Sequence, residues 1–162
     1  MLIESVGRVL PFTAAQIFDL VADIERYPEF LPWWISATIT KREVDTWFVE
    51  QVLGRGPVRV RFASRAVLMR PEFIDITSSD LPFRQFTLRI RVVPNASAGC
   101  SLSISARVEL RSLILQQLMQ RVLATSIDDI IGAFEGRAHS VYDHLNARPV
   151  GAQLTGFRHD SG

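Results

Sequence analysis

SLILQQLMQRVLATSIDDIIGAFEGRAHSVYDHLN, residues 112–146, carries apolar side chains at Leu115, Leu118, Met119, Val122, Leu123, Ile127, Ile130, Ile131, Phe134, Ala138, Val141, Tyr142 and Leu145. Their spacing of three and four keeps one stripe on one side for roughly nine turns. No proline interrupts the stretch, and Pro149 ends it. At about 1.5 Å per residue such a helix runs roughly 50 Å, longer than a small domain is wide. Gln116, Gln120, Arg121, Thr125, Asp128, Arg137 and Asp143 fill the opposite face, which is expected to meet water. A helix of this kind needs a broad apolar surface over its stripe. The rest of the chain is expected to supply it.

Six further stretches read as strands: Ile35 to Lys41, Thr46 to Leu53, Val58 to Met69, Phe73 to Ser78, Gln85 to Val93 and Cys100 to Leu110. Turn chemistry separates them, as in Gly54-Arg55-Gly56-Pro57, Arg70-Pro71 and Ser79-Asp80-Leu81-Pro82. Strands joined this way form an antiparallel meander with one wet face. Val58, Val60, Phe62, Ala66 and Leu68 share one parity, as do Phe86, Leu88, Ile90 and Val92; Leu102, Ile104, Ala106, Val108 and Leu110 form a third apolar row. Leu2 to Leu10 reads as a seventh strand, ended by Pro11. Thr13 and Gln16 then have the spacing of a capping box for a short helix to about Ala22, with Ile17, Phe18, Leu20 and Val21 inward. The expected fold is therefore α+β, with about seven antiparallel strands curved around the long helix. One domain covers 1–147, and 148–162 is a loose tail.

With 48% hydrophobic and 22% charged residues, the composition is that of an ordinary soluble globular chain. The formal net charge of +1 argues against binding driven by overall basicity, although residues 41–91 hold ten Lys/Arg against six Asp/Glu. Cys100 is the single cysteine, so no intrachain disulfide forms and a reducing compartment fits. No secretory signal is read at the N-terminus, and no apolar run approaches the eighteen or so residues of a spanning helix. A soluble or peripheral protein is expected.

Catalytic sets are not evident. His139 and His144 do not share a helix face, His159 falls in the tail, and Asp128 and Asp129 diverge by about 100°. Cys100 has no neighbouring His and reads as a buried or strand-end thiol, while Gly54-Arg55-Gly56 lacks the lysine of a phosphate loop. The segment Tyr27-Pro28-Glu29-Phe30-Leu31-Pro32-Trp33-Trp34 packs two prolines and four aromatics into eight residues. It reads as neither helix nor central strand. Either Phe30, Leu31 and a tryptophan plug the open end of the core, or the segment is a lip over an apolar pocket or a wedge in a membrane interface. Arg59 and Arg61 share a strand face, with Arg55 and Arg65 nearby. That row is either a solvated sheet face or a contact for phosphates of lipid headgroups or RNA.

Leu10-Pro11-Phe12 and the run from Ile17 through Phe18-Asp19-Leu20-Val21-Ala22-Asp23-Ile24-Glu25-Arg26-Tyr27-Pro28-Glu29-Phe30-Leu31-Pro32 to Trp33 resemble the opening signature of the coenzyme-Q-binding START-like proteins. Pro82-Phe83-Arg84, Ala133 to Ala138 and Val141-Tyr142 are similar to that family's later motifs, so the resemblance covers roughly residues 3–145. Two positions depart from it: Trp34 stands where a small residue is common, and Arg89 where an aromatic is expected. The resemblance implies the helix-grip fold of the polyketide cyclase/START superfamily and a non-enzymatic carrier of a polyprenyl quinone such as ubiquinone, with no cofactor required. It also implies a place in the cytoplasm at the bacterial inner membrane, or at the mitochondrial inner membrane in a eukaryote.

In that reading Met119, Val122, Leu123, Ile127, Ile130 and Phe134 form the pocket ceiling. Val60, Phe62, Leu88 and Ile104 line its floor, and Phe30, Leu31, Trp33 and Trp34 make a mobile lip. Bacterial members are also described as ribosome association toxins, for which Arg55, Arg59, Arg61 and Arg65 would meet RNA of the large subunit. The aromatase/cyclase chemistry of distant relatives needs polar groups in the pocket that the sequence does not single out.

Overall fold

The computed structural model describes the backbone of residues 2–4 and 7–146, and side chains over 7–117 and 127–143. Strands β1 (Leu2–Glu4) and β2 (Arg8–Leu10) precede helix α1 (Ala14–Ala22) and a 3-10 turn (Ile24–Glu29). A meander follows: β3 (Trp34–Arg42), β4 (Thr46–Arg55), β5 (Val58–Met69), β6 (Phe73–Ser78), β7 (Phe83–Pro94) and β8 (Cys100–Leu110). Helix α2 (Leu113–Asn146) closes the described chain.

All pairings are antiparallel, in the order β1-β8-β7-β6-β5-β4-β3, with β2 also on β8. The N-terminal strand expected over residues 2–10 is described in two parts, β1 and β2, both laid antiparallel along β8. Two register shifts in β3 and one at the start of β7 bend the sheet.

The capping box of α1 is formed: Gln16 N–H donates to Thr13 Oγ1 at 3.1 Å, and Thr13 N–H to Gln16 Oε1 at 3.1 Å. All four residues expected inward from α1 are buried. Tyr27, Pro28 and Glu29, expected to be non-helical, belong to the 3-10 turn. Proline's fixed φ is compatible with one short 3-10 turn that gives up a single donor.

Helix α2 rests on β8 and α1, burying Ile127, Ile130, Ile131, Phe134 and Ala138. Among the described residues its expected water face is only partly wet, and Gln120, Arg121 and Thr125 have side chains outside them. Gln116 Oε1 accepts from Leu110 N–H at 2.8 Å, and Arg137 Nη2 donates to Glu29 Oε2 at 2.7 Å. The N-terminal half of the chain fastens α2 again through Arg8 and Glu135, 3.0 Å apart, and Tyr142 Oη, which donates to the Gln16 carbonyl at 2.7 Å.

Strand β6 is short. Its ladder with β5 begins at Arg65–Thr77, so residues Val58 to Phe62 pair with β4 alone. At Ala63 a turn takes over: Ala63 N–H donates to Asp80 Oδ2 at 2.9 Å, and Ser78 Oγ donates to the Ala63 carbonyl at 2.6 Å.

Candidate functional site

Strands β4 and β5 aim alternate side chains into the space beneath α2. From β5 these are Phe62, Ser64, Ala66 and Leu68; from β4 they include Val49 and Gln51. Leu88 and Ile104 are buried in the same cluster, and Val60 is half-buried against it. Above them stand Ile127, Ile130 and Phe134. The side chains of Met119, Val122 and Leu123, expected in the same ceiling, lie outside the described residues.

Two aromatic groups shape the interior. Phe62, Phe83 and Phe86 meet at centroid distances of 4.9 to 5.2 Å. Phe134, wholly buried, stands edge-on to Tyr27 at 5.6 Å and to Phe30 at 5.4 Å, while Trp34 meets Tyr27 at 5.8 Å. Residues 27–34 therefore pack as a plug, with Leu31 and Trp34 buried and Phe30 and Trp33 half-buried. The Tyr27 hydroxyl donates to the Val21 carbonyl; burial first, then the charge of Asp23, push this phenol far above its ordinary range. Trp33 has φ +75°, uncommon for a bulky residue, and its carbonyl accepts from Gly54 N–H at 2.8 Å.

Sequence reading missed a polar line through this interior. Trp34 Nε1–H donates to Gln51 Oε1 at 2.8 Å, Gln51 Nε2 donates to Ser64 Oγ at 2.8 Å, and Ser64 Oγ donates to the Val49 carbonyl at 2.9 Å. Gln51 and Ser64 are the buried polar residues among those described. Each link satisfies a group whose isolation would cost about 1–3 kcal/mol. The chain still has capacity: the amide keeps a second N–H, and its oxygen a second lone pair. The available signal was a break in parity, with Gln51 between Val49 and Leu53 and Ser64 between Phe62 and Ala66.

The arginine row lies on the outer face, and most of it is engaged. Arg61 Nη1 donates to Glu50 Oε1 at 2.6 Å, Arg65 lies over the Phe48 ring at 5.4 Å, and Arg55 over Trp33 at 5.1 Å. Arg59 is exposed. Arg89, where an aromatic was expected, grips Asp75 on the neighbouring strand with two bonds of 2.6 Å. Two adjoining hollows of about 510 and 530 Å³ sit on this outer face around Phe48 and Ala63.

Cys100 starts β8 fully buried opposite Leu10 and Pro94, and burial pushes its thiol up. His139 is exposed and shares its Nδ1 with Asp143 at 3.1 Å; the side chain of His144, and His159 altogether, lie outside the described residues. Among the described residues no three His, Cys, Asp or Glu side chains converge to hold a metal, and no helix is long and apolar enough to cross a membrane.

The family model described as polyketide cyclase / dehydrase and lipid transport matches residues 10–135. The chain belongs to that family. Among its relatives is the mitochondrial coenzyme Q-binding protein COQ10 of Dictyostelium discoideum, 27% identical over 89% of this chain and 72% of that protein. The ribosome association toxin RatA of Pseudomonas aeruginosa is 24% identical over 83% of this chain and 93% of that one. A solved Streptomyces aromatase/cyclase, Zhui, superposes with a TM-score of 0.76 over 93% of this chain and 98% of its own, at 13% identity. That degree of likeness speaks to the fold, which is the helix-grip arrangement of the polyketide cyclase and START families.

Proposed function

We propose that this protein is a non-enzymatic carrier that holds a polyprenyl quinone such as ubiquinone beneath α2 and supports respiratory electron transfer at a membrane surface. The observation that carries this reading is the Trp34–Gln51–Ser64 chain, a polar line among the apolar side chains of the described interior. A ligand with a small carbonyl-bearing ring and a long apolar tail matches that composition. The spare N–H of Gln51 suits a ring carbonyl, and Phe134, Ile127 and Ile130 suit the tail. The likeness to a coenzyme Q-binding protein over most of the chain supports the same choice. An amide and a hydroxyl supply neither a strong acid nor a strong base, which favours binding over cyclase chemistry.

The test is mass spectrometry of an organic extract from protein purified without detergent. Stoichiometric quinone is expected, and Gln51→Leu, which keeps the volume but removes the donor, should retain roughly tenfold less. No quinone in the extract, together with no uptake of added ubiquinone, would overturn the reading.

A second reading, a toxin acting on the large ribosomal subunit, rests on the RatA relatives and on exposed Arg59. It is weakened by the partners that already occupy Arg55, Arg61 and Arg65. Salt-sensitive co-sedimentation with large subunits would favour it over the carrier.

A further inference from the structure

Leu81, Leu113 and Ile114 are among the most exposed large apolar side chains of the structure, at 66%, 82% and 74%. They belong to two segments held side by side, since Arg111 N–H donates to the Pro82 carbonyl at 3.0 Å. Asp80, whose carboxylate also accepts from Leu81 N–H at 3.1 Å, ties the first segment to Ala63 of β5. Leu81 thus stands between the first turn of α2 and the part of β5 that β6 leaves uncovered.

The basic side chains of the described residues give a second, independent observation. Nearly all have a partner. Arg8, Arg26, Lys41, Arg42, Arg61, Arg70, Arg89, Arg107 and Arg137 each face a carboxylate, and Arg55, Arg65 and Arg91 lie over rings. Arg59, Arg84 and Arg111 have neither among the described residues, and all three are exposed. They border the same rim: Arg84 follows Phe83 at the start of β7, Arg111 precedes α2, and Arg59 is on uncovered β5.

We propose that this rim is a docking surface for an anionic lipid bilayer, with Leu113, Ile114 and Leu81 entering the headgroup region and Arg84, Arg111 and Arg59 meeting lipid phosphates. Apolar side chains interleaved with uncommitted cations are the two components of interfacial binding. RNA would use the arginines but give no return for the exposed leucines. A second copy would set like charges together. The surface differs from the aromatic segment 27–34, whose side chains are spent on the core. It adds a membrane contact to the carrier reading and can fail separately from it.

Flotation of the full chain with phosphatidylcholine vesicles, with and without phosphatidylglycerol, tests it. The protein is expected to float with the anionic vesicles only, and to be released at high salt. L113E/I114E should lower partitioning at least about tenfold, and R84Q/R111Q about fivefold per arginine. Both pairs are exposed, so melting should be unchanged, and quinone extracted from L113E/I114E reads the pocket independently. Absence of flotation, flotation indifferent to both variants, or binding to ribosomal RNA but not to vesicles would each overturn the proposal.

Discussion

Phe134→Ala is expected to lower the unfolding free energy by about 3–5 kcal/mol, the range for deleting a fully buried phenylalanine. The ring touches Tyr27 and Phe30, two members of the plug, so its loss opens a hole where the 3-10 turn, the plug and α2 meet. The fixed backbone of the turn and the hydrogen bond from Tyr27 to Val21 restrict collapse into that hole. For a domain of this size the melting temperature should fall on the order of 10 °C. Urea unfolding followed by tryptophan fluorescence measures the change, and a loss below about 1 kcal/mol would show that the ring is not part of a close-packed junction. The same position bears on the proposed ligand. Phe134→Glu should abolish quinone retention, and a soluble variant that still carries quinone would count against this pocket.

The second large effect is expected at Gly54, before the β4–β5 turn. A Cβ there would lie 2.3 Å from the Val58 carbonyl oxygen and 3.1 Å from both Arg59 Cα and Ile35 Cδ1. The nearest atom is backbone in a paired ladder, so relief requires the hairpin itself to move. Gly54→Ala should therefore cost about 3 kcal/mol or slightly more, at the upper end of the overpacking range. Gly136 is the matched control. A Cβ on it meets nothing within 4 Å, and it lies inside α2, so Gly136→Ala should stabilise by about 1 kcal/mol through helix propensity. Thermal denaturation of the two variants side by side would expose an error in either assignment, because the predicted shifts have opposite signs.

Much of this architecture was legible in the sequence because period and punctuation agreed. The limits of β5, β6 and β8 follow from alternation bounded by Gly56-Pro57, Arg70-Pro71 and the turn residues from Pro94 to Gly99, and Thr13 and Gln16 carried their capping geometry in their spacing alone. The N-terminal strand was less legible, since its apolar residues Ile3, Val6, Val9 and Leu10 do not keep a period of two. A short turn through Ile24, Glu25 and Arg26 is legible after Asp23, but its continuation over Tyr27, Pro28 and Glu29 is not, because a proline argues against helix whereas one short 3-10 turn tolerates it. Gln51 and Ser64 were overlooked for a different reason. A polar residue in an apolar row looks like noise until the adjacent strand brings a second one within hydrogen-bonding distance. Pairing across β4 and β5, not either strand alone, makes them a feature. The engagement of the arginines was equally hidden, because Glu50 and Phe48 come from the partner strand.

The shortness of β6 also bears on how the protein behaves when crowded. Residues Val58 to Phe62 offer main-chain groups along a sheet margin, the kind of template on which chains aggregate edge to edge. A net charge of +1 gives molecules little general repulsion, so protection has to be local. Arg59 and Arg61 alternate along that margin, and two copies aligned there would bring guanidinium groups face to face. Charged side chains placed beside an open margin are the usual means by which a sheet edge is kept from pairing with another.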